Sequence, residues 1–324
     1  MTFNSDKFNL KNWNLCVPVD ANGTKTGEAL TVPTLNFTSQ YFFHDDARNA
    51  MVFVVPVDGA HTSGTKYPRS ELRELINGAL AFWKVSDGGT QTATVSVDAI
   101  QKASDGTNGK VIVGQIHGKS NELIRLYWDN GTINFHNDLS GTDNTEHVFT
   151  LANTAGKNPA IALGEKFKYE IRVDKVAHTL NVNIWTATDV FTSVTPINAI
   201  WLTDTLYFKA GAYIGNNANQ GATGQAQVSF YALDNSHVDG QGLLGLNVVI
   251  PTTTPPVVVP PVVPPVIVPP VVPPVVPPVI VPPVVVTPPV VVVPVPVNPL
   301  TKTLTRQDLV DILTKLIDFI KQLI

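Results

Sequence analysis

Proline partitions this chain. Of its 26 prolines, 20 fall between Pro251 and Pro299, and no charged residue occurs from 251 to 300. The run Val-Val-Pro-Pro-Val-Ile-Val-Pro-Pro stands at 262–270 and again at 275–283. Each proline fixes φ and removes a backbone donor, so neither a helix interior nor a central strand can form there. Residues 241–300 are therefore expected to be a polyproline-type linker. At about 3.1 Å per residue it would be a semi-rigid spacer on the order of 150 Å long. A further segment, 301–324, has a different grammar. Thr305-Arg-Gln-Asp308 can cap a helix start. Leu309, Ile312, Leu316, Phe319 and Leu323 then follow heptad spacing, with Leu313, Ile317, Ile320 and Ile324 as a second seam. So short a helix with one wide apolar face is not stable alone in water. The expectation is a homo-oligomer formed through the 305–324 helix, with anchoring on a membrane surface or docking on the preceding domain as alternatives.

Residues 1–240 lack such interruptions and read as an all-β domain. Short apolar or alternating runs, such as Met51–Val57, Ala93–Ile100 and Tyr169–Asp174, are separated by Gly, Asn, Asp and Thr clusters. Leu180-Asn-Val-Asn-Ile-Trp185 alternates with the period of a half-buried strand. Asn130-Gly131, between Leu123–Trp128 and Thr132–Phe135, predicts a hairpin with a primed turn. So many short strands in one domain point to a sandwich or jelly roll. Three polar loops, Gly59–Lys66, Asn137–His147 and Gly215–Gly224, are placed to rim a groove. The single cysteine, Cys16, excludes an intrachain disulfide and reads as a small core residue. A formal net charge of -4 argues against nucleic acid as a partner. The first residues show no basic and apolar signal segment, and no apolar run is long enough to cross a membrane as a helix.

Three stretches carry chemistry. In Tyr67-Pro-Arg-Ser-Glu-Leu-Arg-Glu74, strand alternation puts Arg69, Glu71 and Arg73 on one face and Ser70 and Leu72 on the other. A carboxylate between two guanidiniums would hold both forks as a receptor for carboxylates. In Gln115-Ile-His117 the amide and imidazole share a face while Ile116 points to the core. In Tyr207-Phe-Lys-Ala-Gly-Ala-Tyr213, the residues Tyr207, Lys209, Gly211 and Tyr213 share a face, and Gly211 leaves room for a close approach to the sheet. Each stretch alone is compatible with an ordinary exposed strand. Together they describe one polar groove.

These stretches resemble the signature motifs of the alginate lyases of polysaccharide lyase family seven, in that family's order. Phe8-Asn-Leu-Lys-Asn-Trp-Asn-Leu-Cys-Val-Pro18 resembles its opening strand. The resemblance spans about residues 3–235 and implies a β-jelly roll whose concave sheet cleaves the polyuronate alginate by β-elimination, with neither metal nor cofactor. It implies catalytic roles for Arg69 and Gln115 in neutralising the uronate carboxylate, for His117 in polarising the site or taking the C5 proton, and for Tyr213 in protonating the leaving oxygen and, in some geometries, also abstracting the proton. Arg73, Glu71, Lys209 and Tyr207 would bind substrate or support the site. Isoleucine within Gln-Ile-His leans toward guluronate-containing blocks, and the substrate implies an extracellular or cell-surface location. The third motif departs from the family in continuing Ile214-Gly215-Asn216-Asn217. Two other readings remain: a lyase for another polyuronate such as glucuronan, and a polyuronate-binding jelly roll without catalysis. A retaining glycosidase is disfavoured, because its two carboxylates must sit about 5 Å apart and Glu71 and Glu74 fall on opposite strand faces.

Overall fold

The computed structural model of the chain describes residues 2–138 and 146–237. The expected linker at 241–300 and helix at 305–324 lie outside them, as does most of the Asn137–His147 loop. Sixteen strands follow in order: β1 (Trp13–Val17), β2 (Leu30–Pro33), β3 (Phe42–Asp45), β4 (Ala50–Pro56), β5 (Arg69–Ile76), β6 (Ala79–Leu80), β7 (Gly89–Ala99) and β8 (Lys110–His117). They continue with β9 (Glu122–Asp129), β10 (Thr132–Asp138), β11 (Glu146–Thr150), β12 (Lys166–Asp174), β13 (Thr179–Trp185), β14 (Val190–Pro196), β15 (Tyr207–Ile214) and β16 (Gln225–Ser236). Only short 3-10 turns accompany them among the described residues.

The strands form two antiparallel sheets packed as a jelly roll. One runs β11-β10-β9-β8-β15-β5-β1-β2, with β6 paired to β5; the other runs β14-β13-β12-β7-β16-β4-β3. Alternation explains the core between them. On β15, Phe208, Ala210 and Ala212 are fully buried, as are Leu72 on β5 and Ile116 on β8. Opposite them, Phe53 packs 5.1 Å from Phe42 and 5.2 Å from Phe230, in tilted and edge-on contacts. Each such side chain contributes about 1.5–3 kcal/mol through burial. The β9–β10 turn is as read from sequence, with Asn130 and Gly131 at φ 48° and 88°.

The order of the first sheet is what builds the site. β15 lies between β8 and β5, so segments far apart in sequence become neighbours. Register sets Tyr207 against His117, and Lys209 against both Gln115 and Arg73. Gly211 stands against Glu71 at φ 147°. A Cβ there would meet the Ser70 carbonyl oxygen at 2.6 Å and Glu71 Cα at 2.8 Å. The space above Gly211 is therefore taken by the neighbouring strand, not kept for a ligand. The close approach expected at Gly211 is thus made by β5, and glycine is required for this strand-to-strand contact.

Candidate active site

The outward face of the first sheet forms a cleft of about 1180 Å³, lined by Tyr67, Arg69, Glu71, Arg73, His117, Tyr207, Lys209 and Tyr213 among others. At its floor sits a charged knot. Glu71, 1% exposed, receives Lys209 Nζ at 2.5 Å and Arg69 Nη1 at 3.2 Å, and the Gln115 side-chain amide also donates to it. Burial alone would raise the Glu71 carboxyl, but Lys209 and Arg69 outweigh it and hold it below the ordinary carboxylate range. The Lys209 ammonium is pushed below its usual value by burial first and Arg69 second.

Glu71 is thus a hub, though not for the pair expected. Arg73 leaves it and lies over the Tyr207 ring at 3.9 Å. Arg69 lies 3.7 Å over the Tyr213 ring. Gln115, fully buried, sits beneath the cleft surface. Lys209 is buried and committed to Glu71, so its position is that of a support. Glu74 is on the opposite face of β5, bonded to Trp83 Nε1 at 3.0 Å and to His237 Nε2 at 2.7 Å. No carboxylate pair suited to a glycosidase arises from Glu71 and Glu74.

His117 stacks on Tyr207 with 5.0 Å between centroids and 11° between planes. Its Nδ1 lies 2.6 Å from the Gly118 carbonyl oxygen, which can only accept, so Nδ1 carries the proton. Nε2 is then the basic nitrogen, with Glu122 Oε1 at 3.5 Å. Burial, then Lys209, lowers the His117 pKa from 6.5, against an opposing pull from Glu122. Tyr213 is raised above 10.0, chiefly by burial, with Arg69 and a hydrogen bond to Thr65 acting the other way. Its hydroxyl is 2.7 Å from Thr65 Oγ1. The arrangement offers cations for a carboxylate, a neutral imidazole and a protonated phenol on one concave surface.

Some of the lining was not singled out from sequence. Cys16 is half-buried and lines the cleft beside Glu71, its Cα partner, which corrects its reading as a core residue. Trp13, Leu15 and Val17 take the core face of β1, leaving Asn14 and Cys16 outward. Arg125, opposite Gln115 on β9, also lines the cleft. Alternation along Leu123-Ile-Arg-Leu-Tyr127 was the available signal. Thr65 and Glu122 are on loop and strand-end positions, where no periodicity points to a face. The departing Asn216-Asn217 has a structural use: Asn217 Nδ2 donates to the Lys66 carbonyl at 2.6 Å and tethers the loop carrying Thr65.

Comparison with known proteins decides the family. The alginate lyase family (alginate lyase 2) matches residues 8–237. The chain belongs to the alginate lyase family. An alginate lyase of Klebsiella pneumoniae is 32% identical, across 72% of this chain and 90% of that protein. The crystal structure of the alginate lyase from Klebsiella pneumoniae superposes with a TM-score of 0.63 at 30% identity, covering 73% of this chain and 99% of that one. A family 7 alginate lyase with one histidine changed to asparagine and one tyrosine to phenylalanine, in complex with the substrate GGMG, gives a TM-score of 0.59 at 26% identity over 73% and 97% of the chains. The protein is accordingly a polysaccharide lyase, and alginate is its substrate.

Proposed function

We propose that the protein cleaves alginate internally by β-elimination at the Arg69–His117–Tyr213 cleft, leaving a 4,5-unsaturated uronate at the new non-reducing end. The observation that carries this is the convergence of β5, β8 and β15, which sets Arg69, His117 and Tyr213 around the Glu71 knot. The C5 proton of a uronate is weakly acidic while the adjacent carboxylate is ionised. Arg69 neutralises that carboxylate and stabilises the enolate-like intermediate. Gln115 acts from below, by holding Glu71. His117 Nε2 takes the C5 proton. Tyr213 gives its phenolic proton to the departing oxygen on C4, the C4–O bond breaks, and a C4–C5 double bond remains. Arg73 and the edge of Tyr207 contact neighbouring uronates.

Internal cleavage is supported by the cleft, whose 1180 Å³ exceeds the roughly 300–1,000 Å³ of pockets that enclose one small ligand. It has room for several sugar rings. A lean toward guluronate-containing blocks is supported by the relative bound to GGMG and by Ile116 in the Gln-Ile-His motif. Ile116 is fully buried in the core, so any effect on the sugar passes through strand position. The apolar seams of 305–324 support assembly of several such clefts through that segment, which would raise avidity for a polymer. An extracellular polysaccharide as substrate supports action outside the cell or at its surface.

Digestion of polyguluronate, polymannuronate and mixed alginate, followed by ultraviolet absorbance and product sizing, tests the reading. Early appearance of mid-sized unsaturated fragments, fastest on guluronate-containing chains, is expected. Release of single unsaturated uronates from the first turnovers would overturn internal cleavage. Sedimentation of the full chain as a monomer would overturn the assembly.

A further inference from the structure

The hydroxyl of Thr65 lies on the loop preceding β5, outside every motif considered above. We propose that Thr65 is a positioning residue for the reaction: it donates a hydrogen bond to the Tyr213 oxygen and stabilises the phenolate formed when Tyr213 protonates the leaving group. The inference rests on the reading of Tyr213 as the acid.

The geometry is compatible with this direction. The Tyr67 backbone N–H, which can only donate, reaches Thr65 Oγ1 at 3.2 Å. Thr65 Oγ1 therefore accepts there and keeps its own hydrogen for another partner. Tyr213 Oη stands 2.7 Å away, a normal length for an O–H···O bond, and in the arrangement we propose Thr65 is its donor. With Thr65 donating, the phenolic hydrogen of Tyr213 is free to face the cleft. When Tyr213 releases that proton to the C4 oxygen, its own oxygen becomes anionic and can only accept. The Thr65 bond is then charge-assisted and stronger than before. An interaction that strengthens along the reaction lowers the barrier.

The loop is held so that the hydroxyl stays in place. The Thr65 amide closes a turn onto the Thr62 carbonyl at 3.1 Å. Asn217 binds the Lys66 carbonyl at 2.6 Å, and Gln220 Nε2 reaches the Tyr67 hydroxyl at 3.3 Å. Around the phenol, Arg69 and Glu71 face it from β5, Glu122 from the start of β9, and Tyr67 from the loop with ring centroids 6.4 Å apart. Arg69 covers the ring face at 3.7 Å, whereas Thr65 is in contact with the oxygen itself. Burial disfavours the phenolate and Thr65 works against that burial.

The test replaces Thr65 by Val, which removes the hydroxyl at similar volume, and by Ser, which keeps it. Thr65→Val is expected to lower kcat by about tenfold to a hundredfold, the worth of a hydrogen bond to a charged group, with KM little changed. In a spectroscopic tyrosinate titration one phenol should ionise at higher pH in Thr65→Val, and this difference should vanish in a Tyr213→Phe background. Thr65→Ser should restore both rate and titration. Parental kcat in Thr65→Val, an unmoved titration, or a Thr65→Ser as impaired as Thr65→Val would overturn the proposal. If Thr65→Val does not fold, Thr65→Ala carries the same measurements. Full activity of Tyr213→Phe alone would instead sink the assignment of Tyr213, and the titration would still report whether Thr65 tunes the phenol.

Discussion

Replacing Glu71 by Gln removes the charge around which the cleft floor is organised while nearly keeping its shape. Glu71 is 1% exposed and accepts from Lys209 at 2.5 Å and from Arg69 at 3.2 Å. At an effective dielectric constant of about 20, those contacts correspond to gross attractions of about 7 and 5 kcal/mol. Desolvation of three buried charges offsets most of this, so the net follows from what is left behind: two buried cations facing each other. Breaking a buried pair in this way costs about 3–5 kcal/mol. For a domain of this size that lowers Tm by about 6–20 °C. Scanning calorimetry and urea denaturation of Glu71→Gln measure the loss, and lyase assays on the folded fraction should show a fall of at least tenfold as Arg69 loses its anchor. A change in Tm of less than 2 °C (under about 1 kcal/mol) with parental kcat would refute the argument that Glu71 holds the cations.

Three further outcomes follow from named groups. His117 must be neutral to act as a base and is lowered from 6.5, while Tyr213 must keep its proton and is raised above 10.0; kcat/KM should therefore stay high between those values, and an acid limb centred above pH 6.5 would contradict the base assignment. His237 is raised from 6.5, with burial opposing and Glu74 prevailing, so its contribution is fully present below its unfolded value and lost as pH rises through the higher folded one. His237→Ala should cost about 1.5–3 kcal/mol in acid and much less in alkali by urea denaturation; a pH-independent cost would contradict the Glu74 pairing. Gly211→Ala should destabilise the domain by about 1–3 kcal/mol or more, because its Cβ would stand 2.6 Å from the Ser70 carbonyl oxygen; an unchanged Tm would show that β5 and β15 can part freely.

Much of the site was legible because strands write their faces in alternation. Arg69, Glu71 and Arg73, Gln115 and His117, and Tyr207, Lys209 and Tyr213 were each placed on one face by period alone, and pairing of β15 with β8 and β5 merged those faces. Pairing order is a non-local property that no single segment encodes; the family resemblance implied one concave sheet, and the order β8-β15-β5 came from the structure. Partner choice within the face was misread for a similar reason. Neighbours two apart on one strand looked like the natural partners for Glu71, yet Lys209 and Gln115 arrive from other strands, and Arg73 stacks on Tyr207 instead. Cys16 was assigned by residue type when its place between Leu15 and Val17 already put it outward. Thr65 had no periodic signal, since a loop hydroxyl is positioned by turn closure and by a tether from Asn217.

The most direct test is the rate at which unsaturated, ultraviolet-absorbing ends appear when wild type and Tyr213→Phe are incubated with alginate at matched folded concentration. Removing the phenolic proton should slow the rate by about 10²–10⁴-fold, with Tm within a few degrees of the parent because Arg69 keeps its ring contact at 3.7 Å. A Tyr213→Phe variant that produces unsaturated ends at the wild-type rate would show that elimination does not run through this cleft as assigned.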